Sequence, residues 1–277
     1  MGIFEAIILG IVQGLTEFLP ISSSAHLRIV GELFPSLGDP GVTFTAVTQI
    51  GTELAVLIYF RKDIWRIITR WATSLPGRWK RTPSTDPDAR MGWIVILGSI
   101  PIVVLGLLLE TWIDTTFRNL YITALMLATF AVLLGLADRY GRRRLSLDQM
   151  SLRDGITLGF AQAMALVPGV SRSGGTITVG LALGYTRVAA ARISFFLAVP
   201  AVLGSGFYRL FTDDGTGPQA GAMPTFAATV TAFVVGYAVI VGFLKLVSTK
   251  SYLPFVVYRL LLAGTLVFLL GAGIMSA

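Results

Sequence analysis

Apolar residues fall in long blocks, three to each half of the chain, at 42–60, 92–109 and 120–137 and then at 188–211, 225–247 and 253–275. Each runs for about 18 to 24 residues, which as a helix crosses a hydrocarbon core of roughly 30 Å. Six transmembrane helices are therefore expected. Two further apolar stretches are interrupted. The first, 2–37, meets Pro20 and the serines Ser22, Ser23 and Ser24 before it resumes; the second, 155–185, meets Pro168-Gly169 and resumes near Gly174. Proline removes a backbone donor and clashes with the preceding turn, so a helix should end at each break. Two half-length helices joined by a polar turn predict a re-entrant hairpin; the alternative is one kinked span. The first stretch does not read as a leader peptide, because no Lys or Arg precedes Arg28 and Glu5, Gln13 and Glu17 interrupt its apolar run.

Composition changes the solvent. The 277 residues are 54% hydrophobic and 13% charged, with a mean hydropathy of +0.76. Soluble domains carry about 25% charged residues, so this chain is built for a bilayer. It has no cysteine, which excludes disulfides, Cys-zinc sites and iron–sulfur clusters. The formal charge of +7 comes from loops: Arg61, Lys62, Arg66, Arg70, Arg78, Lys80, Arg81 and Arg90 in one connection, and Arg139, Arg142, Arg143, Arg144 and Arg153 in another. The intervening connections carry Glu110, Asp114 and Arg118, and Asp213 with Asp214. Six spans and two hairpins put every basic cluster on one face, which the positive-inside bias makes cytoplasmic, and both termini outside. Trp65, Trp71 and Trp79 among these basic residues fit an interfacial belt, so no nucleic-acid partner is expected.

The chain also matches itself at an offset of 149 residues. Ile7, Leu9, Gly10 and Gln13 find Ile156, Leu158, Gly159 and Gln162, and Ser22, Ser24, Val30 and Gly31 find Ser171, Ser173, Val179 and Gly180. Each half is one hairpin plus three spans, and an odd number of crossings inserts the second half upside down. The expected architecture is an all-α polytopic membrane protein in one domain, 1–277. Its inverted-topology repeats cover 1–137 and 154–277, and the hairpin tips meet near the midplane.

Ionisable groups at membrane depth are expensive and default to functional candidates. Gln13 and Glu17 share a helix face just before the first break, and Ser22 and Ser23 precede His26, the only histidine, on the next half-helix. After the second break, Ser171-Arg172-Ser173 opens a helix whose N-terminal amides suit an anion, with Thr176 one turn on. Arg172 adds a planar fork matched to phosphate oxygens. Purely structural readings compete: a polar cap with a buried histidine, and an Arg172–Glu17 pair that neutralises itself. If the tips meet, the set suits a phosphate or diphosphate and includes a nucleophile beside a base. Glu53 and Gln49 either line the same cavity or bond between helices, and Arg192 is expected to snorkel to the cytoplasmic surface.

With these residues in view, the chain resembles the undecaprenyl pyrophosphate phosphatase family, integral membrane phosphatases of the bacitracin-resistance type. The family's (E/Q)-x-x-x-E is met by Gln13 and Glu17, its Pro-x-Ser-Ser and following histidine by Pro20, Ser22, Ser23 and His26, and its Pro-Gly-x-Ser-Arg-Ser-x-x-Thr by Pro168 to Thr176. The resemblance covers the whole chain. It implies hydrolysis of a polyprenyl diphosphate lipid, undecaprenyl diphosphate, at the outer face of the cytoplasmic membrane, with recycling of the lipid carrier for cell-wall synthesis. It also implies a divalent cation, Mg²⁺ or Ca²⁺, held partly by Glu17, though Gln13 removes one carboxylate from that site. Ser23 is expected as nucleophile with His26 or Glu17 as proton acceptor, or else His26 activates water. Arg172 with Ser171, Ser173 and Thr176 would clamp the phosphates, with Gln13 and Ser22 beside them. A homodimer stays open. The rival from another class is an inverted-repeat transporter or flippase of a phosphate-bearing lipid or anion, since broken helices at the midplane also mark transporters.

Overall fold

A computed structural model describes residues 1–33, 41–75, 83–212 and 220–276. The end of the first expected hairpin at 34–37, the basic residues Arg78, Lys80 and Arg81 with Trp79, and Asp213 and Asp214 lie outside the described residues. The described chain is helical: α1 Ile3–Thr16, α2 Ser23–Leu33, α3 Gly41–Tyr59, α4 Arg61–Thr73, α5 Pro87–Leu108, α6 Glu110–Asp114, α7 Leu120–Tyr140, α8 Leu152–Ala163, α9 Arg172–Ala182, α10 Arg187–Thr212, α11 Ala222–Thr249 and α12 Leu253–Gly271. Five of them, α5, α7, α10, α11 and α12, are long and apolar enough to cross a membrane, and α3 with α4 forms a sixth candidate bent by 80°. Large apolar side chains face outward along these helices, among them Leu108, Leu125, Leu261 and Phe268. That inside-out pattern suits lipid, where an exposed leucine costs nothing. The molecule is a polytopic, all-helical membrane protein.

Polar ends account for where the helices begin. α5 starts about a turn before its apolar block because Asp86 accepts from the amides of Asp88 and Ala89 and Pro87 takes the first position. Asn119 caps α7 in the same way. The connection expected at 61–91 contains an unforeseen element, α4. It turns away at Phe60, carries Lys62, Arg66 and Arg70, exposes Trp65, and rests Trp71 on Gly92 of α5. Its amphipathic pattern is that of a helix lying in an interface. Arg192 reaches towards it, pairing with Asp63 at 2.7 Å over the rings of Phe60 and Phe196.

The two broken segments have the same local form. α1 stops at Thr16 and α2 begins at Ser23; α8 stops at Ala163 and α9 begins at Arg172. Ser22 and Ser171, matched at the 149-residue offset, are both non-glycine residues with positive φ, +74° and +71°. Each hydroxyl also meets the serine two residues on, Ser24 at 3.2 Å and Ser173 at 3.1 Å. Such backbone costs on the order of 1–3 kcal/mol and persists only where surroundings enforce it.

Packing is crossed between the halves. α1 lies on α11 and α8 on α5, while α3 lies against α10 and α7 against α12. The first two contacts use another matched pair. A Cβ on Gly10 would sit 2.5 Å from the Ala228 carbonyl oxygen, and one on Gly159 would sit 2.3 Å from that of Gly98. Helices in lipid associate through such close approach of backbones. Gly159→Val is therefore expected to force α8 off α5, at a cost of about 1–3 kcal/mol. Thermal unfolding in detergent measures it; an unchanged Tm would show that the contact is not needed.

Candidate active site

The two breaks face each other and are fastened by backbone carbonyls. Ser173 Oγ donates to the Leu19 carbonyl at 3.0 Å, bridging the tip of α9 to the turn between α1 and α2. Arg259 of α12, fully enclosed, extends this bridge. Its Nη1 donates to Pro20 O at 3.0 Å, its Nη2 to Gly169 O at 2.7 Å and Val170 O at 3.1 Å, and its Nε to Leu127 O at 3.2 Å. Carbonyls freed where a helix ends need donors, and one guanidinium supplies them to both turns. Sequence reading passed Arg259 over; an arginine inside an apolar block was the signal that could have found it.

Across this frame, Arg172 Nη2 donates to Glu17 Oε1 at 2.5 Å and to Glu53 Oε1 at 2.9 Å. Glu17 Oε2 in turn accepts from Ser23 Oγ at 2.7 Å and from Gln13 Nε2 at 2.6 Å. The expected contact of Glu17 with Arg172 is thus made, and Ser23 stands beside a carboxylate. Arg172 Nη1 donates to Ala198 O at 3.5 Å, and the side chain, 13% exposed, lines the cavity. Glu53, left open by the sequence, joins the cluster from α3.

Glu17, Ser22, Ser23, Ser171 and Arg172 line a cavity of about 570 Å³. Its other wall is apolar, with Ile102, Val103, Leu107, Leu166 and Ala201, and near its rim Arg209 pairs with Glu110 at 3.0 Å. A polar end and an oily flank in one cavity match an amphiphile with an anionic head.

Four expected site residues do not line the cavity. His26 donates Nδ1–H to Ser22 O at 2.7 Å and accepts at Nε2 from the Tyr258 hydroxyl at 2.6 Å, so neither nitrogen points to Ser23. Thr176 is enclosed in the α9–α10 packing, where it donates to Ser194 Oγ or to the carbonyls of its own helix. Ser173 is spent on Leu19, and Gln13 lies behind Glu17. They stand behind the lining, with Gln13 Oε1 enclosed and without a hydrogen-bond partner among the described residues. Among the described residues no three His, Cys, Asp or Glu side chains gather into a metal cage.

Fold and site together define a multi-pass membrane protein with a polar pocket at two facing helix breaks. The model of the bacitracin resistance protein BacA family matches residues 6–265, and the chain belongs to that family. It is 64% identical over 276 residues to the undecaprenyl-diphosphatase of Micrococcus luteus, covering 99% of each chain. It is 61% identical to undecaprenyl-diphosphatase 2 of Agrobacterium fabrum, over 100% of this chain and 99% of that one. The undecaprenyl-diphosphatase of Pseudarthrobacter chlorophenolicus is 58% identical over the full length of both.

Proposed function

We infer that this chain hydrolyses undecaprenyl diphosphate to undecaprenyl phosphate and inorganic phosphate, recycling the lipid carrier for cell-wall synthesis. Full-length likeness to relatives of that name supports the activity. The observation that carries the chemistry is the chain of contacts from Ser23 through Glu17 to Arg172, open to a cavity with an apolar flank.

In this reading the prenyl tail lies along Val103, Leu107 and Leu166 while the diphosphate meets Arg172, Ser171 and Ser22. Ser23 Oγ attacks the terminal phosphorus, its proton passes to Glu17 Oε2, and the bond to the bridging oxygen breaks, releasing undecaprenyl phosphate. Water then cleaves the phosphoserine to give inorganic phosphate. Arg172 stabilises the equatorial charge; phosphoryl transfer is mostly positioning and electrostatics. His26, bonded to Ser22 O, holds the strained turn that aims Ser23. Mg²⁺ or Ca²⁺ fits the carboxylate of Glu17 with the hydroxyl of Ser23 beside it and Gln13 Oε1, which is enclosed and without a hydrogen bond among the described residues. Such an ion would neutralise charge on the leaving group.

The broken segments are read as re-entrant hairpins of two inverted repeats, with six spans, both termini outside and the cavity open to the outer face. The matched strained serines, the matched glycine contacts and the crossed packing support the repeat. The basic residues of α4 and the 138–153 connection support the orientation.

Phosphate release from a polyprenyl diphosphate by purified protein in detergent tests the activity; absence of release would leave the transporter as the better reading. Ser23→Ala is expected to lower release by about a thousandfold or more. If it kept most of its turnover, an activated water rather than Ser23 would be the nucleophile.

A further inference from the structure

Glu53 has no role in that scheme, yet it is completely enclosed and bonded into the cluster. Glu17 and Glu53 accept from the same Arg172 nitrogen, so two carboxylates face one guanidinium in a region shielded from water. One negative charge is left over, and a buried unpaired charge draws a cation or a proton. The free valences point the same way. Glu53 Oε2 and Gln13 Oε1 are both enclosed and without a hydrogen-bond partner among the described residues. One belongs to a residue bonded directly to Glu17, the other to a residue sharing its arginine. Gln49, one turn before Glu53 on the same face of α3, lines the cavity, so that face looks towards it. Every donor in this set is a hard oxygen, as Mg²⁺ and Ca²⁺ require.

We propose that Glu53 is the second carboxylate of the divalent-cation site, holding the ion together with Glu17, while Gln13 contributes its carbonyl oxygen. The residue capping the end of α1 then supplies one carboxylate and α3 the other, which compensates for the neutral side chain at position 13. The ion's part in turnover rests on the hydrolase reading; its binding does not.

The test is Ca²⁺ affinity of purified, substrate-free protein, read by calorimetry for wild type, Glu53→Gln, Gln13→Glu and the double variant. Glu53→Gln is expected to weaken binding by about tenfold or more, within the range that loss of a supporting group costs a metal site. Adding Gln13→Glu should restore affinity to near wild type, because it returns the carboxylate count to two, one helical turn from Glu17; a merely structural role for Glu53 would not be rescued this way. Wild-type affinity in Glu53→Gln, or no recovery in the double variant, overturns the proposal. Should Glu53→Gln fail to fold, Glu53→Asp serves, with several-fold weaker binding expected and unchanged binding refuting. Failure of the hydrolase reading would show separately, as absent phosphate release from a wild type whose cation affinities still follow this pattern.

Discussion

Arg172→Ala is expected to reduce phosphate release from a polyprenyl diphosphate by about a thousandfold or more, the scale on which arginines act in phosphoryl transfer. Two losses combine. The substrate loses its planar cationic contact, and Glu17 is left beside Glu53 without the guanidinium that both accept from. Arg172→Lys separates these losses: a point charge still faces the carboxylates but cannot bind phosphate with two parallel bonds. Its folding should be close to wild type while kcat falls by about a hundredfold, the lower end of what one preorganised donor is worth. Activity and thermal unfolding measured on the same preparations decide this. If Arg172→Lys turned over like the parent, the fork would be dispensable and the site would work by charge alone.

The second large effect lies outside the catalytic cluster. Arg259→Met is expected to destabilise the protein by about 3–5 kcal/mol, as when one partner of a buried charged network is removed. It leaves carbonyls of Pro20, Gly169 and Val170 enclosed without this donor. A fall in Tm of roughly 10 °C would follow from that cost in a chain of this size. The damage should concentrate at the tips, since the same side chain ties both breaks to α12. Limited proteolysis should then open near residues 17–22 and 164–171 before it cuts the long helices. Arg259→Lys, with one compact ammonium in place of a fork, should recover only part of the loss. A variant as stable as wild type would show that the tips are held by Ser173 and their own turns.

Much of this molecule was legible locally. The apolar blocks lie within a few residues of the observed long helices, because crossing length and hydropathy are properties of a window of about twenty residues. The breaks at Pro20 and Pro168 were legible too, but not from proline alone. Pro101 and Pro200 sit inside α5 and α10 without ending them. What distinguished the true breaks was the polar Ser-rich string that follows, which supplies caps and turns where lipid supplies nothing. α4 was missed because its charges read as a loop; its period emerges only when Ile64, Ile67 and Trp71 are seen as one face packing towards α5.

By itself the sequence determined the bilayer as solvent, the helical class, the two interruptions and the residue types able to handle a phosphate. Tertiary structure alone decided which of those residues meet. It brought Glu53 to Arg172 across 119 positions, gave His26 to Tyr258 rather than Ser23, closed Thr176 against Ser194, and set Arg259 between the two turns. The reason is physical. Hydropathy and helix breaking act along the chain, whereas a hydrogen bond demands positions within about 3 Å. Those positions follow from how closely helices approach at residues such as Gly10 and Gly159, not from the order in which they are written.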